Sequence, residues 1–417
     1  MAIGVVAALG AVFATARIAR PVTAPAAADT SITSRSIAFF EGRLALDSMN
    51  YLVGGQLIAR YLMRFQTGAN LADVDRAEII ARQVMPLVSD TAGAFARLAL
   101  LYLTRHRFAE AYQAARRAVA WNPNNQSALG VLFDAAMASG RYPVAESTLH
   151  RMTPERLPYE LRRAHLLTAQ GRMDGAYAAM DRACGQIERA QLLPQVLAWC
   201  LTELAKVQHA RRGPRAARAL VERALEIQPG YRGAIEAQAD FAYARGEWKR
   251  AAKAYRQIAA DAHPDLYLRL AEVHRELGDT VQAALDEGEF FRVALAPEAE
   301  PLYAHVLALR YAGQSKTRDA AVSVARRDVV RRPTVESWDV LSWALFCRGD
   351  LAQALLASDS ARAWGAPSPS MDYHRARMLQ ALGRPGEAAP LLAKALVDPT
   401  LLEHSIQLEL RREGTMR

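Results

Sequence analysis

The chain has 417 residues, of which 51% are apolar, and its Lys and Arg residues exceed Asp and Glu by nine. An apolar fraction of this size can bury a large core, and the excess of Ala and Leu over β-branched runs favours helices. The three cysteines are odd in number and form no C-x-x-C motif, which excludes a disulfide framework and a cysteine zinc site. The positive charge fits a solvated basic surface, with an anionic partner or membrane as the alternative.

The chain begins with an uncharged apolar run at residues 2–16. The run has the length of the hydrophobic part of a signal peptide and is short for a membrane-spanning helix. Its nearest positive charges, Arg17 and Arg20, follow the run, whereas those of a signal peptide precede it. We expect export or membrane association through residues 2–16, placing the chain in the periplasm or envelope of a bacterium, with a cytoplasmic protein as the alternative. Residues 1–36 are then a leader and a flexible linker.

After the linker, a small residue recurs at a fixed spacing. Several of these alanines lie 34 residues apart, and others fill the gaps at irregular steps of 31 to 41. Self-similarity at this period is typical of solenoids built from short helical units. The phased positions are Ala77, Ala111, Ala145, Ala176, Ala217, Ala251, Ala283, Ala320, Ala354 and Ala388. The step of 41 after Ala176 predicts longer helices or a loop near residues 186–195.

Glycine is a second marker in the same phase. It stands five residues before six of the alanines, where it would end one helix in the left-handed conformation before the next helix begins. These glycines are Gly140, Gly171, Gly246, Gly278, Gly349 and Gly383. The helix before each turn has apolar residues at i, i+3, i+4 and i+7, as the run from Phe95 to Tyr102 illustrates.

Together these markers resemble the tetratricopeptide repeat, whose W-x-x-L-G-x-x-Y…A-x-x-x-F…P pattern has a period of 34 residues. The resemblance implies an all-α, right-handed superhelical solenoid of about ten helix-turn-helix repeats. We assign the solenoid to residues 37–400. Residues 401–417 are expected to form a C-terminal capping helix and tail, with a polar outer face that includes Glu403, Gln407 and Glu409, as terminal repeats require.

Motifs for catalysis are absent from the sequence: it contains no phosphate-binding loop, no H-E-x-x-H and no G-x-S-x-G. The nine histidines are dispersed, and His274 occupies an apolar-stripe position typical of a core histidine. Cys184 and Cys200 could pair in an exported chain, but the Ala-rich helical context favours buried thiols. We therefore expect a protein that is not an enzyme and that holds neither a cofactor nor a metal.

The resemblance implies that the first helix of each hairpin lines a concave groove. Groove positions here carry cations that suit carboxylates or phosphates, and aromatic rings that suit apolar side chains. The alternative for each residue is that it covers the inner surface or packs between repeats. The predicted partner-binding set is Trp199, Lys206, His209, Arg232, Asp240, Tyr243, Arg275, Trp343, Phe346, Tyr373 and Arg377.

The function implied by the resemblance is a non-catalytic scaffold that holds a protein or peptide. The Lys/Asn/Asn/Lys/Arg set with which co-chaperones of the family hold a C-terminal carboxylate is missing at matching positions. Acidic residues such as Glu236, Asp240 and Glu272 interrupt the basic ones, which argues against a nucleic-acid groove. The alternatives are an accessory subunit of a separately encoded envelope enzyme or transport system, a glycan or small-molecule binder, and a cytoplasmic regulator.

Overall fold

The computed structural model describes residues 28–68, 71–84, 92–259, 265–296, 300–363 and 367–414. Within these ranges the regular structure is helical throughout, with 22 α-helices and no strand. The apolar run at 2–16 lies outside the described residues. Among the helices that are described, none combines the length and apolarity needed to cross a bilayer.

The chain divides into two compact units, with the boundary between Arg163 and Ala164. The first unit contains seven helices and the beginning of an eighth. These are α1 (Ala28–Leu46), α2 (Tyr51–Gly68), α3 (Leu71–Val84), α4 (Ala92–Thr104), α5 (Phe108–Trp121), α6 (Gln126–Ala138), α7 (Tyr142–His150) and α8 (Leu157–Ala169).

The second unit contains the end of α8 and the helices that follow it. They are α9 (Met173–Arg189), α10 (Pro194–Arg212), α11 (Pro214–Ile227), α12 (Arg232–Ala244), α13 (Trp248–Ala259), α14 (Asp265–Glu276), α15 (Thr280–Ala294), α16 (Glu300–Ala312), α17 (Arg318–Arg331), α18 (Val335–Arg348), α19 (Leu351–Arg362), α20 (Pro369–Ala381), α21 (Pro385–Ala395) and α22 (His404–Arg412). From α2 to α21 the helices form ten consecutive hairpins, which confirms the predicted all-α repeat fold.

The phased alanines lie where the two helices of a hairpin meet. Nine of the ten are at most 1% exposed. Ala320 is the exception, since it is exposed while Ala321 is fully buried. From α5 onward the buried alanine is the fourth residue of its helix, and α17 begins one residue late because a 3₁₀ turn, Ser315–Thr317, precedes it. The predicted register was therefore wrong by one residue in this hairpin.

The predicted glycine turns are confirmed. All six glycines have φ between 68° and 102°, the left-handed region that other residues resist. His106 holds the equivalent position in the second hairpin at φ 54°. It also lies five residues before its alanine, so the turn geometry is kept although the glycine is not.

The long step after Ala176 comes from lengthened helices rather than from a loop. α9 has 17 residues and α10 has 19, with only four residues between them. A disulfide between Cys184 and Cys200 joins these two helices. The expectation of buried thiols was therefore wrong, because the lengthened helices bring the Cα atoms to 5.6 Å, within the range that a disulfide requires.

Candidate functional site: the inner surface of the second unit

The C-terminal segment, residues 398–412, folds back onto the second unit, where it contacts the first helix of several hairpins. It consists of a 3₁₀ turn, Pro399–Leu401, followed by α22. Its contact partners lie on α10, α12, α14 and α20, as far as 191 positions away in the sequence. We call the surface that these helices present to the segment the inner surface.

The segment first meets the inner surface on α10 and α12. His209 Nε2 lies 2.7 Å from Thr400 Oγ1. The Tyr243 hydroxyl donates to the backbone carbonyl of His404 at 3.2 Å, and the two rings lie 4.1 Å apart. Burial, followed by the neighbouring Arg269, lowers the pKa of His404 to about 4, so this ring is neutral near pH 7. Its contact with Tyr243 is therefore one between two uncharged rings.

Apolar residues enclose α22 from two sides. Leu408 packs into a cluster formed by α12, α13 and α14, which includes Ile235 and Leu270. Ile406 and Leu410 pack instead with Tyr373 of α20. Because successive residues turn by 100° around a helix, Leu408 points nearly opposite to the other two. A helix covered in this way is seated between elements, as a bound peptide would be.

This arrangement differs from the expected polar cap. Gln407, predicted on the outer face, is only 2% exposed, and its side-chain amide donates to the Leu402 carbonyl at 2.8 Å. Glu403 and Glu409 are half-buried. A cap would bury one face against the last hairpin alone, whereas this helix is buried against hairpins from the middle of the unit as well.

Ionic contacts lie at the end of the segment. Arg377 donates to Glu409 at 2.9 Å, and Arg412 donates to Glu276 of α14 at 3.0 Å. The Arg411 guanidinium donates to the Ala244 carbonyl, at the last residue of α12. Charged hydrogen bonds of this kind fix the orientation of the helix along the surface.

A cluster of charged side chains on α12 and α14 lies next to the C-terminal segment. Arg269 of α14 donates to Glu236 and to Asp240 of α12, each at 2.9 Å. The Tyr255 hydroxyl donates to Asp240 at 2.6 Å. Burial alone would raise the pKa of Asp240, but Arg269 holds it below its ordinary value. Asp240 is thus an ionised acceptor, which faces His404 of the segment at 3.7 Å.

Glu272 of α14 lies beside Tyr243 on this surface. The one hydrogen of the Tyr243 hydroxyl is shared between the His404 carbonyl and Glu272 Oε2, each at 3.2 Å. Burial raises the pKa of Glu272 to about 7, against the smaller opposing effects of that hydrogen bond and of Arg269. A carboxyl that titrates near neutrality therefore adjoins the tyrosine on which the segment rests.

The structure sorts the predicted groove residues into three groups. Five of them, His209, Asp240, Tyr243, Tyr373 and Arg377, touch the C-terminal segment. Three pair elsewhere: Lys206 with Glu203 at 2.8 Å, Arg275 with Glu287, and Arg232 with the Ile258 carbonyl at 2.9 Å. The remaining three are aromatic: Trp343 and Phe346 stack at 5.0 Å, and Trp199 is 5% exposed. That these residues bind a partner stays a prediction.

Sequence reasoning named five of the residues that touch the C-terminal segment but did not predict the position of the segment itself. The repeat pattern ends at Ala388, so nothing in it specifies where residues 398–412 go. One signal was present: Ile406 and Leu410 on one side of the helix and Leu408 on the other give an apolar distribution too wide for a surface cap.

A family model for the tetratricopeptide repeat matches residues 102–158. This match covers the second half of the α4–α5 hairpin and the hairpin that follows, and the same phase continues through the remaining hairpins. The chain therefore contains tetratricopeptide repeats. A search of curated protein sequences finds no significant match.

Solved structures of other repeat proteins share part of this architecture. Pseudomonas aeruginosa PilF is 18% identical, with 51% of this chain and 96% of that chain covered and a TM-score of 0.39. PilW, a type IV pilus biogenesis factor, is 15% identical, with 51% and 97% covered and a TM-score of 0.41. Human IFIT1, solved as a dimer with m7Gppp-AAAA, is 12% identical, with 86% and 89% covered and a TM-score of 0.49. Scores below 0.5 carry no inference about partners or activity.

Proposed function

We propose that this tetratricopeptide-repeat protein is a scaffold whose inner surface binds a helical segment of a partner protein in exchange for its own C-terminal segment. The observation that carries the proposal is the seating of α22, which is buried on two opposite sides and held at its end by Arg377 and Glu276. Tetratricopeptide repeats generally serve as surfaces for protein partners. Catalysis has no part in the proposal.

The seated segment defines the chemistry of the partner. A competing helix needs apolar side chains on both sides, as Leu408 and Ile406 provide here. It also needs a carboxylate for Arg377 and a cation for Glu276. The apolar contacts supply most of the free energy of binding, and the two half-exposed ion pairs select the orientation of the helix.

A synthetic peptide with the sequence of residues 398–412 tests the surface. In a Leu408→Ala/Leu410→Ala variant the tethered segment is weakened, so a labelled wild-type peptide should bind the inner surface with a measurable anisotropy change. The wild-type chain should bind it at least about tenfold more weakly, because its own segment competes at a high effective concentration. Ser405→Ala, an exposed position on α22, is the matched control and should behave as wild type.

Two results would contradict this proposal. One is a released variant that fails to bind the peptide although its circular-dichroism spectrum remains helical. The other is equal binding by the released variant, the wild type and a scrambled peptide. Affinity capture from native membranes with the released variant then seeks the natural competitor, with wild type as the comparison.

We further propose that the protein works in an exported compartment. Two observations support this: the apolar run at residues 2–16, and the disulfide between Cys184 and Cys200, which persists in oxidising compartments. Maleimide labelling of protein from native cells should modify Cys347 alone before reduction and all three cysteines after it. An intact Met1 on soluble cytosolic protein with three reactive thiols would overturn the export proposal.

A further inference from the structure

Three metal-ligating side chains from distant parts of the chain meet beside the start of α22. Asp339 lies on α18, His374 on α20, and Glu403 immediately precedes α22. One ligand atom from each lies within 4.8 Å of the other two. The tertiary structure therefore brings together an imidazole and two carboxylates that are 29 to 64 positions apart in the sequence.

The histidine of this cluster has an unused ring nitrogen. His374 is 1% exposed, and its Nδ1 lies 3.0 Å from Asp339 Oδ2. Among the described residues, its Nε2 is buried without a hydrogen-bond partner. Leaving a buried polar atom unpaired costs stability, so an arrangement that keeps one invites a ligand.

The charges of the cluster also favour a cation. Two carboxylates within 4.8 Å of one another repel each other when both are ionised. A divalent cation between them would relieve that repulsion and would satisfy the imidazole at the same time.

We propose that Asp339, His374 and Glu403 form a binding site for Zn²⁺. Zinc accepts imidazole and carboxylate ligands at about 2.0–2.1 Å, which places neighbouring tetrahedral ligand atoms about 3.3 Å apart. One ligand atom of each residue lies within 4.8 Å of the other two, so small side-chain movements bring them to that spacing. Mg²⁺ and Ca²⁺ prefer sites made of oxygen atoms alone, so the mixed set selects against them. Three protein ligands leave the fourth position open.

Bound zinc would tie the C-terminal segment to the hairpins. Glu403 is the ligand contributed by the segment, whereas Asp339 and His374 belong to α18 and α20. Zinc would therefore slow the release of residues 398–412 from the inner surface. This consequence rests on the proposed function, whereas the metal site itself does not.

Calorimetry on the full chain after removal of metal with EDTA tests the site. Zn²⁺ should bind at one site per chain, and Co²⁺ should give a visible absorption band at the same stoichiometry. Glu403→Gln and His374→Asn should each weaken binding by about tenfold or more. The matched control is Glu413→Gln, which removes an exposed carboxylate just after α22. It should bind zinc as wild type does.

The fluorescence of Trp343 provides an independent test of where the metal binds. Its ring stacks on that of His374 at a centroid distance of 4.2 Å, so Co²⁺ in the site should quench its fluorescence. Trp343→Phe should abolish most of the quenching while calorimetric binding persists. The site is refuted if wild type binds no zinc, or if Glu403→Gln and His374→Asn, shown to be folded by circular dichroism, bind it undiminished.

Hydrogen exchange tests whether zinc binding also slows the release of the C-terminal segment. Zinc should slow exchange in residues 404–412 of the wild type and leave Glu403→Gln unchanged. Binding without slower exchange would overturn the coupling to the segment. Peptide binding that persists in Glu403→Gln would keep the proposed function intact even if the zinc site failed.

Discussion

The hairpins and the C-terminal segment acquire their positions in different ways. Each hairpin is placed by its neighbours in the sequence, through a buried alanine such as Ala111 or Ala354 and a turn such as Gly349. The segment is placed by its neighbour α20 and also by contacts 136 to 191 positions away, such as Arg412 with Glu276 and Thr400 with His209. A repeat stabilises itself by nearest-neighbour packing, whereas the segment depends on a surface that several stacked repeats must first create.

This difference predicts that damage to the hairpins lowers global stability, and that damage to the segment releases it locally. The largest expected effect concerns the disulfide between α9 and α10, which links positions 16 apart. Cys184→Ala/Cys200→Ala should lower the free energy of unfolding by about 3 kcal/mol, measured by urea titration. Cys347→Ala, which removes the free cysteine, is the control and should cost less than about 1 kcal/mol. A reductant should lower the stability of the wild type and leave that of the double variant unchanged. If the reductant leaves the stability of the wild type unchanged, the disulfide is absent.

The next effect concerns the register of α17. Ala321 is fully buried and Ala320 is exposed, although the period of 34 residues predicted the opposite. Ala321→Leu should cost about 1–3 kcal/mol by overpacking, whereas Ala320→Leu should change stability by less than about 0.5 kcal/mol. Circular-dichroism melts of the two variants measure the difference. Equal melting temperatures would show that the turn before α17 does not shift the register.

A smaller effect is expected where the hairpins meet the segment. Because the pKa of Glu272 is raised to about 7, its contribution to stability is complete below about pH 4.5 and is lost as the pH rises through 7. Glu272→Gln stays neutral, so it should be more stable than wild type by about 1–2 kcal/mol near pH 8 and equal to it near pH 4.5. Urea titrations at both pH values measure this. The exposed Glu226→Gln should show no such difference, and a gain at both pH values would exclude titration as the cause.

The smallest effect concerns the ion pair of the segment. Arg377 and Glu409 are 36% and 39% exposed, so Glu409→Gln should cost less than about 1 kcal/mol. Leu408 is 7% exposed, and Leu408→Ala removes its buried apolar contacts. This variant should therefore lose about 2 kcal/mol or more of stability. Faster hydrogen exchange confined to residues 404–412 measures both. If Glu409→Gln released the segment more than Leu408→Ala, charge rather than apolar burial would hold it.

The predicted inner surface shows how far sequence reasoning reached. Five predicted residues touch the segment because they occupy the same face of the first helices α10, α12 and α20, and helical periodicity determines that face. Trp199 of α10 was placed on the same face and is 5% exposed, and its contact with a partner stays a prediction.

The sequence by itself determined the ten hairpins and their glycine turns, since these depend on residues within one period of each other. Only the tertiary structure decided the remainder. The disulfide required the length of two helices, the position of the C-terminal segment required four hairpins in place, and the meeting of Asp339, His374 and Glu403 required three separate elements. The physical reason is that a local pattern specifies how neighbouring helices pack, whereas these features depend on where individual side chains meet. The two cysteines lie only 16 positions apart but on different helices, and the contacts of α22 reach back as far as 167 positions.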